Sequence, residues 1–220
     1  MNKIIIITIL IFLTFLTFGQ KQLIGISGGL IYSNVNINPE LFKEKTIKQE
    51  WTVNVNYERF LSEKISIETG LQYERKGFVD NFIVTDEFGT EIMNEELPFL
   101  YEYASIPISL KYTVGNRLKS FGQIGVIPSY FIKGEIEYPE IMKPAIPDPP
   151  LNEKVNRFDL GIFVGMGISY QIIERVEVNV NGLFNHSFVS MTNEQFYKDY
   201  EMYNYFYNIN FGLKYYLKNE

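Results

Sequence analysis

The chain has no cysteine. That excludes structural disulfides, thiolate nucleophiles, cysteine-ligated zinc and lipid attachment through an N-terminal cysteine. It has one histidine, His186, too few for a multi-histidine metal site. Basic residues are outnumbered, with 20 Lys and Arg against 26 Asp and Glu for a net charge of -6. Nucleic acid, which calls for a basic footprint, is therefore not expected as a partner. Beyond Phe18 no apolar run is long enough for a transmembrane helix, and helical periodicity is hard to find.

The first residues read as a separate unit. Lys3 forms a short basic start, and Ile4 to Phe18 is apolar apart from threonines. Thr17-Phe18-Gly19 offers small residues for a signal peptidase, with Gln20 as the mature N-terminus. The run is short against the roughly 20 residues of a spanning helix, which favours a removable leader over a retained anchor. The expected division is a signal peptide over 1–19 and one β domain over 20–220.

That domain shows eight segments of period-two alternation. The last, YNYFYNINFGLKY, sets Tyr203, Tyr205, Tyr207, Ile209, Phe211, Leu213 and Tyr215 against Asn204, Phe206, Asn208, Asn210, Gly212 and Lys214. Short polar turns fall near Ser62, Asn116 and Glu174. Long connections run over about 34–49, 79–102, 134–156 and 188–202. With an even strand number, all short turns lie at one end and all long loops at the other, as in outer-membrane barrels. A strand of about 11 residues tilted near 40° projects to roughly 28 Å, enough to cross an apolar band of around 25 Å.

Aromatic residues make up 16% of the chain, and they are sorted. Tyr32, Trp51, Tyr73, Tyr130, Phe158, Phe184 and Tyr205 sit at the long-loop end of the apolar faces. Tyr57, Tyr112, Tyr170 and Tyr215 sit at the short-turn end. Two aromatic girdles around an aliphatic middle are what two lipid–water interfaces favour. The polar faces carry Gly, Ser, Asn and Gln with Glu58, Glu68, Glu74, Asp159, Glu177, Lys111 and Lys214. An eight-stranded lumen is just wide enough for side chains to fill, which predicts a packed polar core rather than a pore. The fold expected is all-β: an eight-stranded antiparallel up-and-down transmembrane β-barrel in the outer membrane. The opposite arrangement, apolar face inward around a ligand, would make a soluble lipocalin-like barrel.

Three stretches resemble the PorT-like outer-membrane β-barrel family. They are FLSEKISIETGLQYERKG (60–77), YASIPISLKY (103–112) and FDLGIFVGMGISY (158–170). The resemblance extends over about residues 23–217 and lies in the order and spacing of these stretches. It implies an exported eight-stranded barrel, with some relatives linked to protein secretion. The end, Leu217-Lys-Asn-Glu220, departs from the terminal aromatic that many such barrels use as an assembly signal.

Chemistry is sparse. His186 beside Ser187 suggests a lipid-acting enzyme only if an acid joins them; otherwise it is a polar residue at the membrane boundary. Acidic residues gather at Asp80, Asp86, Glu87, Glu91, Glu95 and Glu96, and again at Glu194, Asp199 and Glu201, in no EF-hand spacing. Gly161, Gly165 and Gly167 lie within a strand and read as relief of crowding, not as a phosphate loop. The stretch FIVTDEFGTEIM, with a turn at Gly89, predicts a hairpin extending the third and fourth strands above the membrane. Ile141, Met142 and Ile146, in a proline-rich loop, are expected on the barrel rim or against a partner. No catalytic, cofactor-binding or metal-binding residue is assigned. The expectation is a non-enzymatic protein, structural or partner-binding through its external loops, with a secretion-associated role among the readings. Its expected partners are outer-membrane lipid and an envelope protein.

Overall fold

The computed structural model describes residues 21–39, 45–85, 87–89, 91–138, 151–193, 195 and 199–218. The strands are β1 (Gln22–Asn38), β2 (Lys45–Phe60), β3 (Ile65–Thr85), β4 (Glu91–Ser105), β5 (Ile108–Gly115), β6 (Leu118–Ile136), β7 (Phe158–Ile173), β8 (Val176–Ser187) and β9 (Glu201–Lys218). One helical turn, α1 (Leu151–Lys154), lies between β6 and β7. All strand pairings are antiparallel, and β1 pairs with β9 to close the ring. β4 and β5 occupy one position between β3 and β6, so the ring has eight staves. The interruption at Ile106-Pro107 follows from Pro107, which has no N–H to give to the ladder. The leader and Ile141, Met142 and Ile146 lie outside the described residues.

The alternation resolves as lipid-facing and lumen-facing sides. In β9, Tyr207, Ile209, Phe211, Leu213 and Tyr215 are exposed, while Asn204, Phe206, Asn208, Lys214 and Tyr216 are buried. Ile24, Ile26, Val53, Val55, Leu71, Ile162 and Val164 likewise face outward. The soluble alternative with an apolar interior is thereby overturned. Both aromatic girdles point outward, including exposed Trp51, Tyr130, Phe158, Tyr57, Tyr112, Tyr170 and Tyr215. Trp51 and Tyr73 pack at 5.4 Å on adjacent staves of the outer girdle.

Two expectations change. Several long connections are strand: β1 runs to Asn38, β2 starts at Lys45, and β3 and β4 form the anticipated hairpin to Thr85 and from Glu91. The lumen is also not wholly polar. Ile31, Ile127, Phe163 and Phe206 form an inward apolar cluster, and Val35, Ile37, Phe78, Tyr101, Tyr103, Phe131, Val155 and Met191 form another toward the loop end. Val155 and Met191 come from connecting segments folded onto this second cluster, where Val155 bridges to Thr192. Burying these side chains inside is favourable at roughly 25 cal/mol per Å² of apolar surface.

Candidate functional site: a charged lumen and a projecting hairpin

Inward positions of the staves bring together charges that are far apart in sequence. At the short-turn end, Glu58 of β2 accepts from Lys111 Nζ at 3.1 Å, Lys214 Nζ at 2.6 Å and Ser66 Oγ at 2.6 Å. Glu68 of β3 accepts from the same lysines, at 3.5 and 2.5 Å, and from Asn56 Nδ2 at 3.3 Å. Lys111 also stands 3.9 Å over the Phe121 ring. Beside this group, Lys119 pairs with Glu177, and Tyr216 donates to Glu177 at 2.5 Å.

Farther up, Lys76 Nζ lies 3.2 Å from Glu74 and 3.0 Å from Asp159. Asp159 Oδ2 also accepts from Ser187 Oγ and Asn204 Nδ2, at 3.1 and 3.2 Å. Glu74 accepts from Ser105 Oγ at 3.0 Å and Gln72 Nε2 at 2.6 Å. The seven charges expected on the polar face therefore all line the lumen. Lys76 and Lys119 complete their pairing; both sit at the inward parity, which is the signal that identifies them in the sequence. A buried pair is retained when hydrogen bonds support its ions. Hydroxyls and amides supply them to Glu58, Glu68, Glu74 and Asp159 Oδ2, while Asp159 Oδ1 is buried with no hydrogen-bond partner among the described residues.

Between the two charged levels lies a small polar cavity of about 30 Å³, lined among others by Asn54, Asn56, Gln72, Gln123 and Asn210. That is room for a water or two, not for a solute path. Lumen-facing asparagines also sit over glycines of adjacent staves. A Cβ at Gly25 would lie 2.4 Å from Asn56 Oδ1, and one at Gly29 would lie 2.5 Å from Asn210 Oδ1. The glycines admit the amides that fill the narrow interior.

His186 does not form a site with Ser187. Successive residues of β8 face opposite sides. His186 is outward, with Nε2 3.3 Å from Asn36 Nδ2, whereas Ser187 points inward to Asp159. Gly161, Gly165 and Gly167 are ladder positions of β7, paired with Ser187, Leu183 and Asn181. Among the described residues no group of three His, Asp or Glu is placed to hold a metal.

At the opposite end the β3–β4 hairpin rises past its neighbours. The ladder with β2 ends at Lys45↔Asp80, and that with β6 ends at Phe99↔Ile136. β3 and β4 continue together to Thr85↔Glu91. The turn holds Gly89 at φ 82° and Phe88 with 85% of its surface exposed. A second feature of the outer mouth is a groove of about 790 Å³ lined by Asn152, Glu153, Arg157, Thr192 and Asn193. Several of its polar groups are already spent on main chain, as in Asn193 Nδ2 to Glu153 O at 3.0 Å.

Residues 18–193 match the outer membrane protein beta-barrel domain family. The chain belongs to that family. It is a protein of the outer membrane. No curated relative matches the sequence. Among solved structures, a major outer membrane protein from Thermus thermophilus superposes with a TM-score of 0.53 at 10% identity, covering 91% of this chain and 100% of that one. The outer membrane protein OprG from Pseudomonas aeruginosa gives 0.51 at 11% identity, covering 91% and 98%. The outer membrane protease OmpT from Escherichia coli gives 0.50 at 12% identity, covering 91% and 99%. At these identities the likeness is one of barrel fold, and the protease chemistry of the third is a property of that protein.

Proposed function

We propose that this outer-membrane barrel is non-enzymatic and works through its external rim, where it binds a partner of the cell envelope. The observation that carries this reading is the contrast between the two ends of the wall. The lumen spends its charges on one another across the staves, while the β3–β4 hairpin stands clear of both neighbouring strands. A closed interior serves stability, and an exposed hairpin serves contact. On the sequence stretches described above, we place the chain in the PorT-like branch and regard residues 1–19 as a leader removed on export. A secretion-associated partner is the version of this function that the branch suggests.

The test is a photo-crosslinking amino acid at Phe88 in producing cells, with Val164 on the lipid face as control. A discrete protein adduct from position 88, absent from position 164, supports the reading. Absence of adducts from position 88 and from exposed Asn152 and Glu153 at the same rim contradicts it.

A further inference from the structure

We propose that what docks on the hairpin is an extended, lysine- or arginine-rich segment, added to the open edge of β4 as a further strand. This rests on the partner-binding reading above and names the partner's chemistry.

The edge is defined by the ladder. Glu137 N donates to Pro98 O at 2.9 Å, so the Pro98 carbonyl faces the β6 side. In an antiparallel strand a residue's N–H and C=O point the same way, and the direction alternates with each residue. The main-chain groups of Glu96 and Asn94 therefore face that side too. They lie beyond the last β6 rung, and among the described residues no strand pairs with them there. A row of main-chain donors and acceptors in register is a template for strand addition.

The charge of the finger selects the occupant. From Asp80 to Leu97 the chain carries six carboxylates (Asp80, Asp86, Glu87, Glu91, Glu95 and Glu96) and no Lys or Arg. Glu95 and Glu96 project to opposite faces of β4, so negative charge flanks the edge on both sides. Of the nearby cations, Lys45 faces Asp80 at the base of the finger, Lys133 contacts Glu102 and Glu135, and Lys48 contacts Glu50 and Glu137. That leaves Glu91, Glu95 and Glu96 farther out to select the occupant. A second copy of the hairpin would oppose like charges across the new rung, which is unfavourable. An extended basic segment instead places cations against Glu91, Glu95 and Glu96 while its main chain completes the ladder.

The probe is a short synthetic peptide of alternating lysine and threonine, titrated against the purified barrel in detergent micelles. A twin peptide is N-methylated on alternate residues, which keeps its charge and removes the donors needed for pairing. The expected result is salt-sensitive binding, weakened roughly tenfold or more by Glu91→Gln, Glu95→Gln and Glu96→Gln together. The N-methylated twin is expected to lose binding to the unaltered protein, a readout independent of any effect of substitution on the hairpin. Equal binding of both peptides would overturn strand addition, and no binding of either would overturn the proposal. If position 88 still gives a protein adduct in cells while both peptides fail, the partner-binding function stands and its basic, extended partner does not.

Discussion

Lys214 Nζ sits 2.6 Å from Glu58 and 2.5 Å from Glu68, tying β9 to β2 and β3 across the lumen. All three side chains lie inside the wall, and Lys111 shares both carboxylates. Removing one cation leaves two buried carboxylates short of a partner. Lys214→Met is expected to destabilise the barrel by about 3–5 kcal/mol, read as a lower urea midpoint for loss of the folded gel band. Adding Glu68→Gln is expected to recover part of that loss, because one uncompensated charge goes with it. Additive losses in the double variant would contradict the coupling.

Glycine positions separate the two sides of the wall. At Gly29 a Cβ would come within 2.0 Å of Ile209 O and 2.5 Å of Asn210 Oδ1, whereas at Gly122 the nearest atom is 4.0 Å away. Gly29→Ala is expected to cost about 1–3 kcal/mol through overpacking. Gly122→Ala, on the lipid side, is expected to leave the unfolding midpoint close to the parent. Comparing both midpoints in one detergent checks the assignment of inside and outside.

The lipid face is tested by charge. Val164 is exposed near the middle of β7, between Phe158 and Tyr170 of the two girdles. Val164→Arg is expected to destabilise the barrel by about 2–4 kcal/mol in lipid vesicles. Glu153→Arg, on the external rim, is expected to change stability little. Similar effects at the two positions would place the apolar band elsewhere.

His186 and Ser187 make opposite predictions from those of an enzyme. His186→Ala is expected to leave the lipid composition of the membrane unchanged, since His186 faces Asn36 and not Ser187. Ser187→Ala is expected to lower stability by about 1 kcal/mol, because Ser187 donates to buried Asp159. Altered lipids in the histidine variant would reinstate the enzymatic reading.

Much of the wall is legible in the sequence because a strand's period of two is local. The outward Tyr, Ile and Leu of β9, both girdles and the seven lumenal charges follow from parity alone. What is less legible depends on distance across the barrel. Ile31, Phe163 and Phe206 interrupt polar faces singly, and only closure of the ring makes them one cluster. Inward parity marks Lys76 and puts Glu74 beside it on β3, but its second partner, Asp159, comes from β7 and is brought to it only by closure of the ring. The strands exceed their expected lengths because β1, β2 and the hairpin continue past the girdles, where the lipid no longer imposes an apolar face. The pair His186-Ser187 resembles a site only while adjacency in sequence stands for adjacency in space, and in a strand adjacent side chains diverge.

A sealed lumen, whose charges hold the wall together, leaves function to the rim. Electrical recording of the purified protein in a planar lipid bilayer tests it most directly. A sealed lumen gives no conductance above that of the protein-free bilayer, while the same preparation shows a boiling-dependent gel shift that certifies the folded barrel. Regular stepwise currents from that preparation would mean that the Lys76–Asp159 and Lys214–Glu58–Glu68 groups line a path rather than close one, which contradicts a sealed lumen.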